Sequence, residues 1–261
     1  MADSILIDIQ DHVAIVTLNR PEKLNAADQS VFSGMIDAGD ALAERDDVRA
    51  IVLQGAGRCF CSGIDVTSLM SDGTFMQKAF ETGEKSPANF AQRAAYVWQE
   101  VPQPVVAAVH GECFGAGLQF AMAADIRVGA PDVDMRVLEI KWGIVPDMSL
   151  TQTALHTVRL DVLKELTFTG RSVGAEEGVN LGLLTSLHED PQAHALSLAQ
   201  KIASKSPDAT RRAKRLFNDS WRTHARHGLE LEAVLQKELL GQPNQIEAVM
   251  SNVEKRAANY R

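Results

Sequence analysis

Residues 104–125 constrain the fold of this chain more than any other stretch. They open with an apolar, β-branched run at 105–109, which predicts a strand buried on both faces. Three glycines at positions 111, 115 and 117 follow, and apolar residues from Leu118 onward then indicate a buried helix. A strand that enters a helix through such a turn leaves backbone N–H groups without helical partners, and these can hold an anion or a developing oxyanion. A plain tight turn would need the same small residues, so the stretch alone leaves both interpretations open.

A second glycine-bounded turn lies at residues 57–65, with the sequence Gly-Arg-Cys-Phe-Cys-Ser-Gly-Ile-Asp. It also follows a β-branched run, at residues 48–53, and leads toward an apolar segment. Strand-like runs at 5–9 and 13–18, then a helix from about residue 28, precede it, and this order predicts crossover units with a partly parallel sheet. Two such turns in one sheet can bring two N–H groups together. Converging N–H groups are the usual means of holding a carbonyl oxygen that becomes negative.

Composition narrows the class of protein. With 261 residues, of which 45% are hydrophobic and 23% charged, the chain can bury a sizeable core as one large domain or one domain with an appendage. The net charge of −8 argues against nucleic acid as a partner, and no apolar run is long enough to span a bilayer. The first ten residues lack the basic region of a secretory signal, and three cysteines are too few for a disulfide framework. A reducing, cytoplasmic location is therefore expected, and without an H-E-x-x-H or similar motif no metal site is expected.

Three motifs taken together resemble the enoyl-CoA hydratase/isomerase (crotonase) superfamily: residues 19–25 with the small residue that follows them, residues 60–65, and residues 108–125. The resemblance implies an α/β fold of the ClpP/crotonase type, a spiral of ββα units at residues 1–195 with a helical C-terminal trimerisation region at 196–261. It further implies an acyl-CoA thioester as the substrate and a homotrimer or homohexamer as the assembly. Coenzyme A would be part of the substrate, so no separate cofactor is expected, and neither a nucleic acid nor a membrane is an expected partner.

The same resemblance assigns binding roles by position. The backbone N–H groups of Cys61 and Ala116 would form the oxyanion hole for the thioester carbonyl. Contacts to coenzyme A are implied at five positions, Arg20, Lys23, Ser62, Ile64 and Lys255. Lys255 resembles a contact that family members often make across a subunit boundary.

Two acids are the candidates for proton transfer. Glu139 lies among apolar neighbours, and Asp147 follows a glycine and a proline, so both are expected on loops rather than on one helix face. Burial would raise the pKa of either carboxyl and make it a usable acid or base near neutrality. By resemblance, Glu139 falls on the position of the family's catalytic glutamate. Asp147 falls where the dienoyl-CoA isomerase branch carries its second proton-transfer acid.

Gln119 is the main departure from the family pattern, because hydratases carry a second glutamate there and dienoyl isomerases an aspartate. A carboxamide can position a water molecule or a substrate, but it cannot accept and return a proton. The acid pattern therefore favours isomerisation of enoyl-CoA or dienoyl-CoA, with Glu139 and Asp147 moving the proton. Hydration of 2-enoyl-CoA, by Glu139 acting on a water held by Gln119, stays open as an alternative. A non-catalytic acyl-CoA-binding protein of the same fold is a further alternative.

Overall fold

The computed structural model describes residues 3–71, 73–220, 234, 236 and 238–261, without the side chains of 69–71, 73, 74, 76 and 252. The described residues form nine strands: β1 (Ile5–Gln10), β2 (Val13–Leu18), β3 (Ala50–Gly55), β4 (Val105–Val109), β5 (Glu112–Phe114), β6 (Ile126–Gly129), β7 (Asp134–Arg136), β8 (Val173–Gly174) and β9 (Ser186–Leu187). A six-stranded sheet has the order β1-β2-β3-β4-β6-β9, and β5, β7 and β8 form a second, smaller sheet.

The helices of the described residues follow the same chain order. They are α1 (Gln29–Ala43), α2 (Val66–Ser71), α3 (Gly73–Ala79), α4 (Phe90–Glu100), α5 (Ala116–Met122), α6 (Leu150–Thr153), α7 (Leu160–Thr169), α8 (Ala175–Leu181), α9 (Pro191–Ala203), α10 (Pro207–Ser220) and α11 (Pro243–Glu254). Short 3-10 segments lie at Pro21–Lys23 and Glu139–Trp142. The predicted start of α1 near residue 28 is confirmed, because the Asp28 carboxylate caps the helix by accepting from the N–H groups of Ser30 and Val31.

The large sheet is parallel apart from its first pair. β1 and β2 run antiparallel, and each later neighbour in the sheet is parallel to the one before it. β4 lies in the middle of this sheet and all of its residues are buried, as the apolar run predicts. Because β3 and β4 are parallel neighbours, both end at the same edge of the sheet, and the two glycine turns that follow them meet there.

Two layers of side chains cover the sheet. On one face, α1, α4 and α5 contribute to the larger core, in which the Phe32 ring lies 5.1 Å from that of Phe75 and 6.3 Å from that of Phe120. On the other face, α9 packs through Ala195 and Ala199, whose small side chains let the helix approach β3 and β4 closely.

A buried lysine ties the C-terminal helices to the sheet. Lys214 of α10 is 8% exposed, and its Nζ donates to the carbonyl oxygens of Trp98, at 2.7 Å, and Gln103, at 3.0 Å. The same Nζ lies 2.9 Å from Oδ2 of Asp125, which accepts the N–H of Val105 at the start of β4. Three acceptors compensate the buried charge, so Lys214 is a structural residue of the interior.

The predicted division after residue 195 falls inside α9, which packs on the sheet along its length. The trimerisation role of residues 196–261 stays a prediction. None of the described helices is long and apolar enough to cross a lipid bilayer.

Candidate active site

The two glycine turns meet backbone to backbone. The carbonyl oxygen of Cys61 accepts the N–H of Phe114 at 3.0 Å, and a Cβ on Gly117 would lie only 2.4 Å from that oxygen. Only glycine fits this approach without a shift of the backbone. Gly115 has a φ of +49°, and a Cβ placed on it would lie 3.5 Å from Oε1 of Glu139. The glycines at 115 and 117 therefore allow two close approaches: Gly117 to the backbone of the turn at 57–65, and Gly115 to the carboxyl group of Glu139.

The structure corrects the assignment of Cys61 as an oxyanion donor. Its N–H donates to the carbonyl oxygen of Glu112 at 3.0 Å, because residues 112–114 form the short strand β5 rather than an open turn. The N–H of Ile64, three residues further along the same turn, donates to no acceptor among the described residues. The N–H of Ala116 likewise donates to no acceptor among the described residues, as expected for the first residue of α5.

Glu139 stands at the start of the second 3-10 segment and is 5% exposed. Its Oε1 accepts a hydrogen bond of 2.6 Å from Nε2 of Gln119, whereas its Oε2 is buried with no partner in the described part of the chain. Burial raises the pKa of this carboxyl, and the negative charge of Asp147 raises it further, although the Gln119 amide works in the opposite direction. A buried carboxylate with one unpaired oxygen has the properties of a general base near neutral pH.

Asp147 lies on the loop after the Glu139 segment and keeps part of its side chain at the surface. Partial burial raises the pKa of this carboxyl also. The negative charge of Asp147 adds to the effect of burial in raising the pKa of Glu139. Gln119 bonds to Glu139 and to the residue that follows Asp147, so the three residues lie in one region of the structure. Their roles in proton transfer stay predictions.

Gln119, on the buried face of α5, connects these groups. Besides its bond to Glu139, its Oε1 accepts the N–H of Met148, the residue after Asp147, at 2.8 Å. With 2% of its surface exposed, the amide is held at both ends. It can orient a neighbouring acid, but it cannot itself exchange a proton.

Arg20 does not offer a free guanidinium to coenzyme A phosphates. Its Nη2 lies 3.0 Å from Oδ2 of Asp28 and 3.2 Å from Oδ2 of Asp65, and its Nη1 donates to the carbonyl oxygen of Ala26. The predicted binding role is therefore corrected: Arg20 joins the start of α1 to the turn that carries Ile64, and holds that turn in place.

The other predicted coenzyme A contacts are placed as follows. Lys23 is exposed and has no ion pair with a described residue, and Ser62 is half-buried with its N–H donated to the carbonyl oxygen of Leu24. Lys255 is exposed in the segment after α11, with a φ of +54°, and no described contact joins it to the two turns. These three roles stay predictions.

Asn25 is a site residue that sequence reasoning missed. It is 1% exposed, and its amide donates to the carbonyl oxygens of Ala56, at 2.8 Å, and Cys59, at 2.9 Å. Its φ of +52° is a conformation that asparagine tolerates better than most residues. The available signal was an asparagine in the loop before α1, and its hydrogen bonds join that loop to the glycine turn at residues 57–65.

Comparisons with known proteins place this geometry in context. A family model described as "Enoyl-CoA hydratase/isomerase" matches residues 8–261. A mouse protein named "Delta(3,5)-Delta(2,4)-dienoyl-CoA isomerase, mitochondrial" is 30% identical over 257 residues, which cover 95% of this chain and 78% of the relative.

Solved structures agree on the fold. The enoyl-CoA hydratase from Bacillus anthracis superposes with a TM-score of 0.90 at 25% identity, over 98% of each chain. An enoyl-CoA hydratase from Mycobacterium smegmatis gives a TM-score of 0.86 at 27% identity, again over 98% of each chain. The similar proteins thus carry isomerase and hydratase names alike.

Proposed function

The chain belongs to the enoyl-CoA hydratase/isomerase (crotonase) family, and from this premise we propose that it shifts double bonds in enoyl-CoA and dienoyl-CoA thioesters. The observation that carries the proposal is the set of side chains at the site, in which Glu139 and Gln119 are buried and Asp147 is exposed. Two carboxyl groups with raised pKa values, Glu139 and Asp147, accompany an amide at the position where a hydratase of this family carries its second glutamate.

The thioester carbonyl oxygen would accept hydrogen bonds from the N–H groups of Ile64 and Ala116. Both donors are free in the described chain and belong to turns that are in backbone contact. Their dipoles stabilise the negative oxygen of an enolate more than the neutral carbonyl, which lowers the barrier to removing a proton from the adjacent carbon.

Glu139 and Asp147 would then move the proton. One carboxylate accepts a proton from the carbon next to the thioester, the electron pair shifts along the conjugated chain, and the other carboxyl gives a proton to the far carbon. The substrate is neither oxidised nor reduced, and the pair finishes with its proton on the opposite member. Because Asp147 keeps part of its side chain at the surface, solvent can restore the starting state.

A cavity of about 450 Å³ is lined in part by Asp147 and could take the far end of an acyl chain. Its walls include Pro87 and Ala88 before α4, Gln92 within it, and Asp147 on the opposite loop. The far end of a conjugated acyl chain placed here would lie within reach of the second acid.

Hydration is the second candidate. It would use Glu139 alone, with a water molecule held by Gln119. The amide of Gln119 already accepts one hydrogen bond from Met148 and donates one to Glu139, which leaves one N–H and one oxygen lone pair for a water molecule. A member of the family that binds acyl-CoA without catalysis is the remaining alternative. Turnover of 2-enoyl-CoA, 3-enoyl-CoA and 3,5-dienoyl-CoA by the purified protein separates the three.

Asp147→Asn should separate long from short proton transfers. Asparagine keeps the size and polarity of the side chain but cannot return a proton, so isomerisation of 3,5-dienoyl-CoA should fall about 100-fold or more. In 3-enoyl-CoA a single double bond shifts and the proton travels a shorter distance, so the loss of kcat with this substrate should be several-fold smaller. The measurement is kcat for both substrates in one preparation. Equal losses for both, or robust hydration that is insensitive to the change, would contradict the isomerase assignment.

We also propose that the protein assembles as a homotrimer or homohexamer. An apolar surface beside the site, here called the Trp142 surface, consists of Trp142, Ile144 and Val145, which are 55%, 48% and 70% exposed. Exposed apolar residues in one contiguous loop are typical of a contact between subunits.

Replacing both Trp142 and Val145 by glutamate should therefore lower the molar mass in solution to that of a smaller species, because buried charges oppose association. Light scattering during size-exclusion chromatography measures this. Leu6→Glu, at an exposed apolar position on β1, is the matched control and should leave the mass unchanged. A wild-type protein that is monomeric at micromolar concentration would refute the assembly.

A further inference from the structure

The amide of Gln119 can stand in only one orientation. Among the described residues, its hydrogen-bond partner on the loop side is the N–H of Met148, at 2.8 Å, and a backbone N–H can only donate. The atom that faces Met148 is therefore the carbonyl oxygen of the amide. The NH₂ group must then face Glu139, as the 2.6 Å contact to Oε1 requires.

This orientation restricts the proton of Glu139. An NH₂ group is a donor only, so Oε1 of Glu139 has to serve as its acceptor. A proton that Glu139 takes up is consequently directed to Oε2, the oxygen that is buried and without a partner in the described residues. The carboxyl group is thus divided into one oxygen that anchors and one that reacts.

A carboxylate at position 119 would behave differently. It could still accept the N–H of Met148, but an ionised carboxylate has nothing to donate to Glu139. Two carboxyl groups at such a distance must share a proton, and this proton could then reside on either of them. The amide removes that second titrating site and leaves its neighbour with a single reactive oxygen.

We propose that Gln119 is a positioning residue: it selects Oε2 of Glu139 as the oxygen that exchanges the proton, and it holds the backbone that carries Asp147 at a fixed place beside it. The second effect follows from the Met148 contact, because Met148 is the next residue after Asp147 in the chain. The proposal rests on the proposed function only in that Glu139 exchanges a proton with the substrate. The hydrogen bonds themselves can be tested without turnover.

The test is a titration of Glu139 in the full-length protein. With ¹³C at Cδ of glutamate, the NMR resonance that disappears in Glu139→Gln belongs to Glu139. Gln119→Met fills the same space without a donor, so the pKa of Glu139 should rise by about one unit or more, since the bond that stabilises its ionised form is lost. Asp147 is the charged group that acts on Glu139, so the titration is repeated with Asp147→Asn to separate its influence.

Activity gives a second readout. In Gln119→Met the acid limb of kcat/KM should move to higher pH by the same amount as the resonance, and kcat should fall about tenfold while KM changes little. Gln119→Glu keeps an acceptor for the N–H of Met148 and is the second variant to use if Gln119→Met folds poorly. In Gln119→Glu the Glu139 resonance should titrate in two steps, because the two acids share a proton, and hydration of 2-enoyl-CoA should increase.

Gln103→Met is the matched control. Gln103 is also a fully buried glutamine whose Nε2 donates to two acceptors, the carbonyl oxygens of Leu42 and Arg45. Its replacement should lower stability and leave the Glu139 titration as in the wild type. An unshifted Glu139 resonance in folded Gln119→Met and Gln119→Glu overturns the proposal, even if the wild type proves to be an isomerase. Absence of isomerase turnover with a shifted resonance overturns the proposed function and leaves the positioning role standing.

Discussion

Replacing Glu139 by glutamine is expected to reduce isomerisation by about 100- to 10,000-fold, the range over which positioned acids and bases contribute to catalysis. Glutamine has the same shape, and its carbonyl oxygen can still accept the bond from Gln119. The loss would therefore report the missing proton exchange rather than a collapsed site. Single-turnover kinetics with 3,5-dienoyl-CoA, together with acyl-CoA binding by calorimetry, measures the two effects separately, and binding should change little.

The same variant should be more stable than the wild type above a certain pH. Burial raises the pKa of Glu139 in the folded chain, so its contribution to stability is complete at low pH and is lost as the pH rises through the folded-state pKa. Glutamine cannot ionise. The difference in melting temperature between variant and wild type should accordingly be small in acid and grow as the pH rises through that pKa. A difference that shrinks with rising pH would show that the carboxylate is stabilised by its surroundings.

Replacing Ala116 by proline is expected to cost on the order of 100- to 1,000-fold in turnover, the typical effect of losing one oxyanion donor. Proline lacks the N–H and is otherwise well tolerated at the first position of a helix, which is where Ala116 stands in α5. The loss should appear in kcat, measured at a saturating concentration of 3,5-dienoyl-CoA.

Ala116→Gly is the control, because it keeps the N–H and removes a single methyl group. It should retain activity within a few-fold of the wild type. Far-UV circular dichroism and the melting temperature establish that the proline variant is folded. Equal and small effects of the two substitutions would remove Ala116 from the oxyanion hole.

The family and the fold could be predicted from the sequence, and both predictions are confirmed. Runs rich in apolar and β-branched residues at 105–109 and 13–18 predict strands, and the structure has β4 and β2 there. Each has a parallel neighbour in the large sheet. The resemblance also singled out Gln119, Glu139 and Asp147, and the structure shows Gln119 bonded to Glu139 and to the residue after Asp147. Their roles stay predictions.

The prediction that the N–H of Cys61 is a free oxyanion donor was wrong, because β5 accepts a hydrogen bond from it. Glycines on either side of residues 112–114 indicate an open turn, yet these three residues form a strand that bridges to Cys61 and consumes its N–H. Three-residue strands have no periodicity to detect. The free donor therefore moves to Ile64, a residue that the resemblance had assigned to coenzyme A.

The ion pairs of Arg20 could not be predicted from the sequence either. Arg20 resembles a basic residue at a pocket mouth, and the acids that engage it, Asp28 and Asp65, are 8 and 45 positions away in the sequence. The sequence cannot show which acid a given arginine meets, because long polar side chains pair through the tertiary fold. Residues 73–79 form α3 and bury the ring of Phe75, although this part of the sequence has no strong helical pattern of apolar residues.

The buried ammonium group of Lys214 has a consequence for how the chain can be divided. Any fragment that ends before α10 would keep Asp125 beside β4 but lose the cation that neutralises it, and would open the carbonyl groups of Trp98 and Gln103 to solvent. β4, which leads into the glycine turn at residues 111–117, begins at that point. α10 is thus a structural partner of β4 within the same polypeptide, and a shortened or chimaeric chain would have to supply its own counter-charge.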